Sequence, residues 1–165
     1  MNTNIEILKY AMNMEKRAQE FYSLYRDKVS NPTIKALFEE LSEMEIGHYE
    51  MLKKQVESLE QTGDLAEIDL EAEEGNSIIK TGSKALEGVS LEYDMADLPI
   101  LRMAYSMEDD FAKYYKAAAE KTEDEKAKKL LKALSNWEIK HRDSFAEQVK
   151  NAQMNIWFDN SFSPF

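Results

Sequence analysis

Residues 7–52 align with residues 100–145 at a constant offset of 93 and without a gap. Fourteen of these 46 positions are identical, where average composition would give about three by chance. The pairs include Leu8/Leu101, Ala11/Ala104, Met14/Met107, Glu15/Glu108, Tyr22/Tyr115, Leu37/Leu130, Leu41/Leu134, Glu45/Glu138, Ile46/Ile139 and His48/His141. A repeat of this kind has to be read before any local pattern, because it dictates the architecture. Two like units related by a pseudo-twofold axis place like residues opposite each other, so a polar residue on the inner face of one copy meets its twin.

Each copy reads as a helix hairpin. Ile5, Leu8, Met12, Glu15, Ala18, Tyr22 and Tyr25 recur at spacings of three and four, which predicts a helix over 3–28. Ser30-Asn31-Pro32 supplies a capping residue followed by proline at the first helical position, and the second helix runs from 32 to 60. Its inner face carries Leu37, Leu41, Met44, Glu45, His48 and Leu52. A third helix starts at a cap, Asp94 or Asp97, with Pro99 in its first turn, and shows Leu101, Ala104, Glu108, Phe111, Tyr115 and Ala118 on one stripe. Thr122 and Glu125 have the spacing of a capping box for a fourth helix reaching Asn151 through Leu130, Leu134, Trp137, Glu138, His141 and Phe145. Short links make each pair antiparallel.

The expectation is therefore an all-α protein: an antiparallel four-helix bundle over 1–152, built from hairpins 3–60 and 95–151. Between them lies a crossover, 61–94, that holds four of the five glycines and an acidic run, EIDLEAEE; within it SIIKTGSKALEGV is the candidate for a short helix. The tail, 153–165, carries Trp157, Phe158, Phe162 and Phe165, expected to be irregular and to pack on the bundle or on a partner subunit.

The chain has two histidines, and each stands three residues after a glutamate, in EIGH (Glu45–His48) and WEIKH (Trp137–His141). Residues at i and i+3 share a helix face, so each pair can bind one divalent cation. Glu15 and Glu108 sit on otherwise apolar stripes, where an acid is costly unless something pairs with it. Across a pseudo-twofold the six residues Glu15, Glu45, His48, Glu108, Glu138 and His141 converge on one core and fit a two-metal site. Four carboxylates nearly balance two divalent cations. Glu45 and Glu138 are the expected bridges, Glu15 and Glu108 the terminal carboxylates. Oxygen and nitrogen donors without thiolate suit iron or manganese, or a mixed pair; zinc fits the donors but leaves redox chemistry unexplained. Tyr22 and Tyr115, two turns beyond Glu15 and Glu108, are candidates to hold a ligand carboxylate.

Composition excludes other chemistries. With no cysteine there is no disulfide, zinc knuckle, iron–sulfur centre or thiol nucleophile. A net charge of −11 argues against nucleic acid. No apolar run reaches membrane-spanning length and the N-terminus has no signal-peptide pattern, so a cytoplasmic protein without a membrane partner is expected.

The segments MEKRAQEFY with EMEIGH, and MEDDFAKYY with WEIKH, resemble the diiron carboxylate domain of the rubrerythrins, within the ferritin-like superfamily. That resemblance implies two iron ions on Glu15, Glu45, His48, Glu108, Glu138 and His141. It implies reduction of hydrogen peroxide, with oxygen the alternative oxidant, and a homodimer. Many rubrerythrins also carry a four-cysteine iron site that delivers electrons; without cysteine, electrons would come from a separate donor protein. The family's additional glutamate, three residues beyond the third-helix ligand, is replaced by Phe111, and the equivalent position in the first half is Ala18. The alternatives are a ferroxidase or iron-handling protein, and a non-enzymatic bundle stabilised by metal.

Overall fold

The computed structural model describes residues 3–81 and 93–161, with side chains to residue 158. Among them are five helices and no strand: α1 (Thr3–Arg26), α2 (Pro32–Thr62), α3 (Leu70–Asn76), α4 (Asp97–Lys121) and α5 (Glu125–Ser161). The four long helices form a ferritin-like bundle in which α1 packs along α2 and α4 along α5, with α1 and α4 also in contact. None of the helices is long and apolar enough to cross a membrane.

Local chemistry sets the helix ends. Asn31 caps α2, its side chain accepting from the amides of Thr33 at 2.9 Å and Ile34 at 3.2 Å, and Pro32 follows at the first helical position. At the other end Gly63 takes a left-handed φ of 82° and its N–H closes on the carbonyl of Leu59, a conformation glycine adopts without steric cost. The apolar stripes of the four helices meet in one core, whose largest fully buried side chains include Trp137, Tyr22, Tyr115, Phe38 and Phe145. Phe38 and Phe145 meet edge-on across the two hairpins, and Tyr22 stacks on Phe145. Burying side chains of this size stabilises by about 1.5–3 kcal/mol each, which is the main force joining the halves.

Three sequence expectations are corrected. The cap of α5 is Asp124, not Thr122: Asp124 Oδ1 accepts from Lys126 N at 2.8 Å and Ala127 N at 3.0 Å. Thr122 instead donates its hydroxyl to Asn4 Oδ1 at the start of α1. Nor does Asp97 cap α4. It is fully buried and accepts from the amides of Ser30 at 2.8 Å and Asn31 at 3.1 Å, tying α4 to the α1–α2 turn. Asn4 and Asp97 are equivalent under the 93-residue offset, so the repeat extends to the anchors of both turns. Finally, α5 does not stop near Asn151 but continues to Ser161. The tail through Ser161 is thus helical rather than irregular, because no glycine or proline interrupts it before Pro164.

Within the single chain Trp157 and Phe158 are 71% and 62% exposed; Phe162 and Phe165 lie outside the described residues. The short helix of the crossover forms in the acidic stretch at Leu70–Asn76, started by Asp69, whose side chain accepts from Glu71 N and Ala72 N. Most of SIIKTGSKALEGV lies outside the described residues.

Replacing Asp97 by alanine strands two backbone donors beneath the helix ends, so unfolding in urea should show a loss of about 1–3 kcal/mol, with metal stoichiometry unchanged because Asp97 is remote from the histidines in the chain and touches neither.

Candidate metal centre

The four long helices each deliver acid to the middle of the bundle. Glu15 comes from α1, Glu45 and His48 from α2, Glu108 from α4, Glu138 and His141 from α5, and all four glutamates are 0% exposed. The structure brings all six predicted residues together. Their donor atoms form two groups, each within 4.8 Å: Glu15, Glu45, His48 and Glu138 in one, Glu45, Glu108, Glu138 and His141 in the other. Glu45 and Glu138 belong to both.

The pseudo-twofold is visible atom by atom. Glu45 turns Oε2 toward His48 Nδ1 at 3.2 Å and Oε1 toward His141 Nδ1 at 3.7 Å. Glu138 does the reverse, with Oε1 at 3.7 Å from His48 Nδ1 and Oε2 at 3.3 Å from His141 Nδ1. Each shared carboxylate thus faces both imidazoles, one oxygen apiece. Glu15 lies 3.8 Å from His48 Nδ1, and its twin Glu108 lies 3.9 Å from His141 Nδ1.

The two tyrosines act across the axis. Tyr22 donates its hydroxyl to Glu108, and Tyr115 donates to Glu15, so each holds the glutamate of the other hairpin rather than of its own helix. Burial pushes both phenols well up, and the nearby carboxylates push them further, so both remain protonated donors. Trp137, on the inner stripe of the same helix as His141, stacks on His48 with ring centroids 5.4 Å apart, and the two imidazoles stack at 6.0 Å.

The cluster is not self-sufficient. Glu15 Oε2, Glu45 Oε1, Glu108 Oε2, both oxygens of Glu138 and Nδ1 of His141 are buried without a hydrogen-bond partner. So many orphaned acceptors in one place are costly unless cations accept their lone pairs. Burial raises Glu45, Glu108 and Glu138 well above the ordinary carboxylate range, and mutual repulsion adds to it. Burial also raises Glu15, but hydrogen bonds from His48, Glu45 and Tyr115 outweigh it and leave Glu15 lowered. Burial lowers both imidazoles; facing Glu15, His48 is nevertheless raised, whereas His141 stays lowered. Without cations the symmetric cluster is thus electrostatically unequal: Glu15 is lowered and His48 raised on one side, while Glu108 is raised and His141 lowered on the other. Four buried carboxylates and two imidazoles, with no thiolate, form a donor set that fits a pair of divalent metal ions.

The sequence model of the rubrerythrin family matches residues 6–149. The chain belongs to the rubrerythrin family. No match was found among curated proteins or among solved structures. In this member of the family the buried cluster fits a dimetal site, and no cysteine stands among the 165 residues to form a thiolate iron site. Phe111 and Ala18, one turn beyond Glu108 and Glu15, are buried apolar residues of the core, and neither donor group includes a seventh residue.

One residue at the centre was missed. Ser77, at the C-terminal end of α3, hydrogen-bonds to both histidines: its Oγ lies 2.9 Å from His48 Nε2 and its carbonyl oxygen 3.3 Å from His141 Nε2. It falls in the aperiodic crossover, where no pattern assigns a side chain to a face.

The shifts set a pH dependence for the metal-free protein. Glu45, Glu108, Glu138 and His48 are raised and take up protons on folding; Glu15 and His141 oppose them. The stabilisation from raised groups is complete below their unfolded values and lost as pH climbs through the folded ones. Chelator-treated protein should therefore melt at a lower temperature at about pH 8 than at about pH 5, whereas metal-loaded protein should not, since the ions displace those protons. Calorimetry at both pH values, with and without metal, checks this.

Proposed function

We propose that this rubrerythrin-family protein is a diiron oxidoreductase that reduces hydrogen peroxide, with oxygen the alternative oxidant, using electrons from a separate donor protein. The observation carrying the reading is the pair of overlapping donor groups with orphaned oxygens and imidazole nitrogen at the bundle centre. Glu45 and Glu138 would bridge the two ions; Glu15 with His48, and Glu108 with His141, would complete one ion each. Two bound irons supply two electrons between their reduced and oxidised states, matching the two electrons and two protons that convert one peroxide into two waters.

The chain's own residues hold the geometry and limit access. Tyr22 and Tyr115 fix the terminal carboxylates through their hydroxyls. The surrounding core is apolar and fully buried, which excludes bulk water. A small oxidant has an approach: a pocket of about 270 Å³ between α1 and α2, lined by Lys16, Gln19, Ile46 and Tyr49, has Glu45 at its wall. A second hollow, of about 450 Å³, is lined by Glu40, Glu43 and Glu73 and reaches His48. Its acidic lining favours approach of a cation, which is the specific support for the alternative of iron oxidation and handling. Manganese satisfies the same donors. A cytoplasmic homodimer, joined through the far end of α5 where Met154 and Phe158 are exposed, completes the proposal.

Protein purified without oxygen and loaded with Fe(II) should hold two iron ions per chain. Stopped-flow mixing with peroxide should oxidise both in one rapid phase, faster than oxygen does. Glu45→Ala and Glu138→Ala should each slow that phase by about 100-fold or more, since even residues that only support a ligand are typically worth ~10–100-fold. Uptake of iron far beyond two ions per chain would favour the iron-handling alternative; failure to bind any transition metal would end both.

A further inference from the structure

The pseudo-twofold relates every predicted ligand to a twin, but the contact that orients the histidines comes from a single residue. Ser77 reaches the Nε2 atoms of both stacked imidazoles, and one residue that serves both halves has no twin of its own. It serves His48 with its side chain and His141 with its backbone. The Ser77 hydroxyl has one proton, and it is donated to the carbonyl of Glu73 at 3.0 Å. With that proton committed to Glu73, Oγ is left to accept from His48 Nε2, which then carries the hydrogen. The Ser77 carbonyl can only accept, so His141 Nε2 carries one as well. With Nε2 protonated in each neutral ring, both Nδ1 lone pairs point at the carboxylates, which is the tautomer a metal requires there.

The segment bearing Ser77 is fastened to both histidine-bearing helices. Glu40 of α2 accepts from Lys80 N at 2.6 Å, from Thr81 N at 2.9 Å and from the Thr81 hydroxyl. Lys140 of α5, the neighbour of His141, pairs with Glu74 at 2.5 Å. Ser77 itself is buried, and its N–H closes the last turn of α3 on Glu73 and Glu74. The position of Ser77 is thus set by contacts of the fold on both sides.

We propose that Ser77 is the positioning residue of this centre, holding both histidines as Nε2–H tautomers with Nδ1 toward the metals, and doing so unequally: through a replaceable hydroxyl for His48 and a mutation-proof carbonyl for His141. This rests on the dimetal reading above. The inequality makes it testable, because Ser77→Ala removes only the first contact and leaves the second.

Anaerobic titration with Co(II), followed by its visible absorption and by calorimetry, reads the two ions separately. In Ser77→Ala the ion on the His48 side should bind about 10–100-fold more weakly, the typical effect of losing a ligand's supporting hydrogen bond, while the other keeps its affinity. Ser77→Thr, which restores a hydroxyl, should recover both. Adding Ser77→Ala to His141→Ala should weaken the remaining ion further; adding it to His48→Ala should change nothing. Imidazole ¹⁵N resonances of the metal-free protein should show Nε2 protonated in both histidines, with Ser77→Ala shifting His48 alone. Equal weakening of both ions without rescue by threonine would overturn the proposal in favour of a merely structural role. So would two ions bound as in the unsubstituted protein. If the unsubstituted protein binds no ion, the dimetal reading fails, and the nitrogen resonances still decide what Ser77 does to each ring.

Discussion

Four carboxylates within a few ångströms of one another, all without contact to water, repel each other and have each given up hydration; this is the constraint to which the bundle is built. Left alone, such a cluster favours its protonated forms, since burial and mutual repulsion raise Glu45, Glu108 and Glu138 well above the ordinary carboxylate range. Two divalent cations remove the cost at once, because four negative charges meet four positive ones and the orphaned lone pairs find partners. The surrounding structure follows from that. Tyrosine hydroxyls take the outer oxygens of the terminal carboxylates, imidazoles face the inner ones, and the buried apolar core lowers the local dielectric, which strengthens these interactions.

The duplication halves the information needed to build such a centre. A single hairpin with one Glu on its first helix and Glu-x-x-His on its second, packed on a copy of itself, yields three ligands twice. The twin relations extend beyond the ligands, to the crossed Tyr22–Glu108 and Tyr115–Glu15 bonds and to Asn4 and Asp97 at the two turns. The symmetry breaks where the halves meet unequal neighbours. Trp137 covers His48, while its twin position is Met44; Ser77 meets one histidine through a hydroxyl and the other through a carbonyl. The two donor groups are therefore chemically distinct despite like residues.

Much of this was legible in the residues. Helical periodicity put Glu15, Glu45, His48, Glu108, Glu138 and His141 on inner faces, and the constant offset put them opposite one another, because side-chain direction along a helix is a local consequence of backbone geometry. Helix ends were less legible. Thr122 and Asp97 have the chemistry of caps, but each was drawn into a contact with the opposite hairpin, and such competition for a hydrogen bond is invisible without the partner. The extension of α5 past Asn151 was missed for the opposite reason: aromatic content suggested a tail, whereas nothing in it breaks a helix.

By itself, the sequence determined an all-α duplicated bundle, six converging donors and the exclusion of thiolate chemistry, since these rest on periodicity, spacing and composition. Only the tertiary structure decided which hairpin's carboxylate each tyrosine holds, which oxygens face which imidazole, and that the crossover brings Ser77 against both histidines. Those are matters of hydrogen-bond direction between segments far apart in the chain. In a stretch without periodicity, nothing local says which way a side chain points; the packing of α3 against α5, and the grip of Glu40 on Lys80 and Thr81, do.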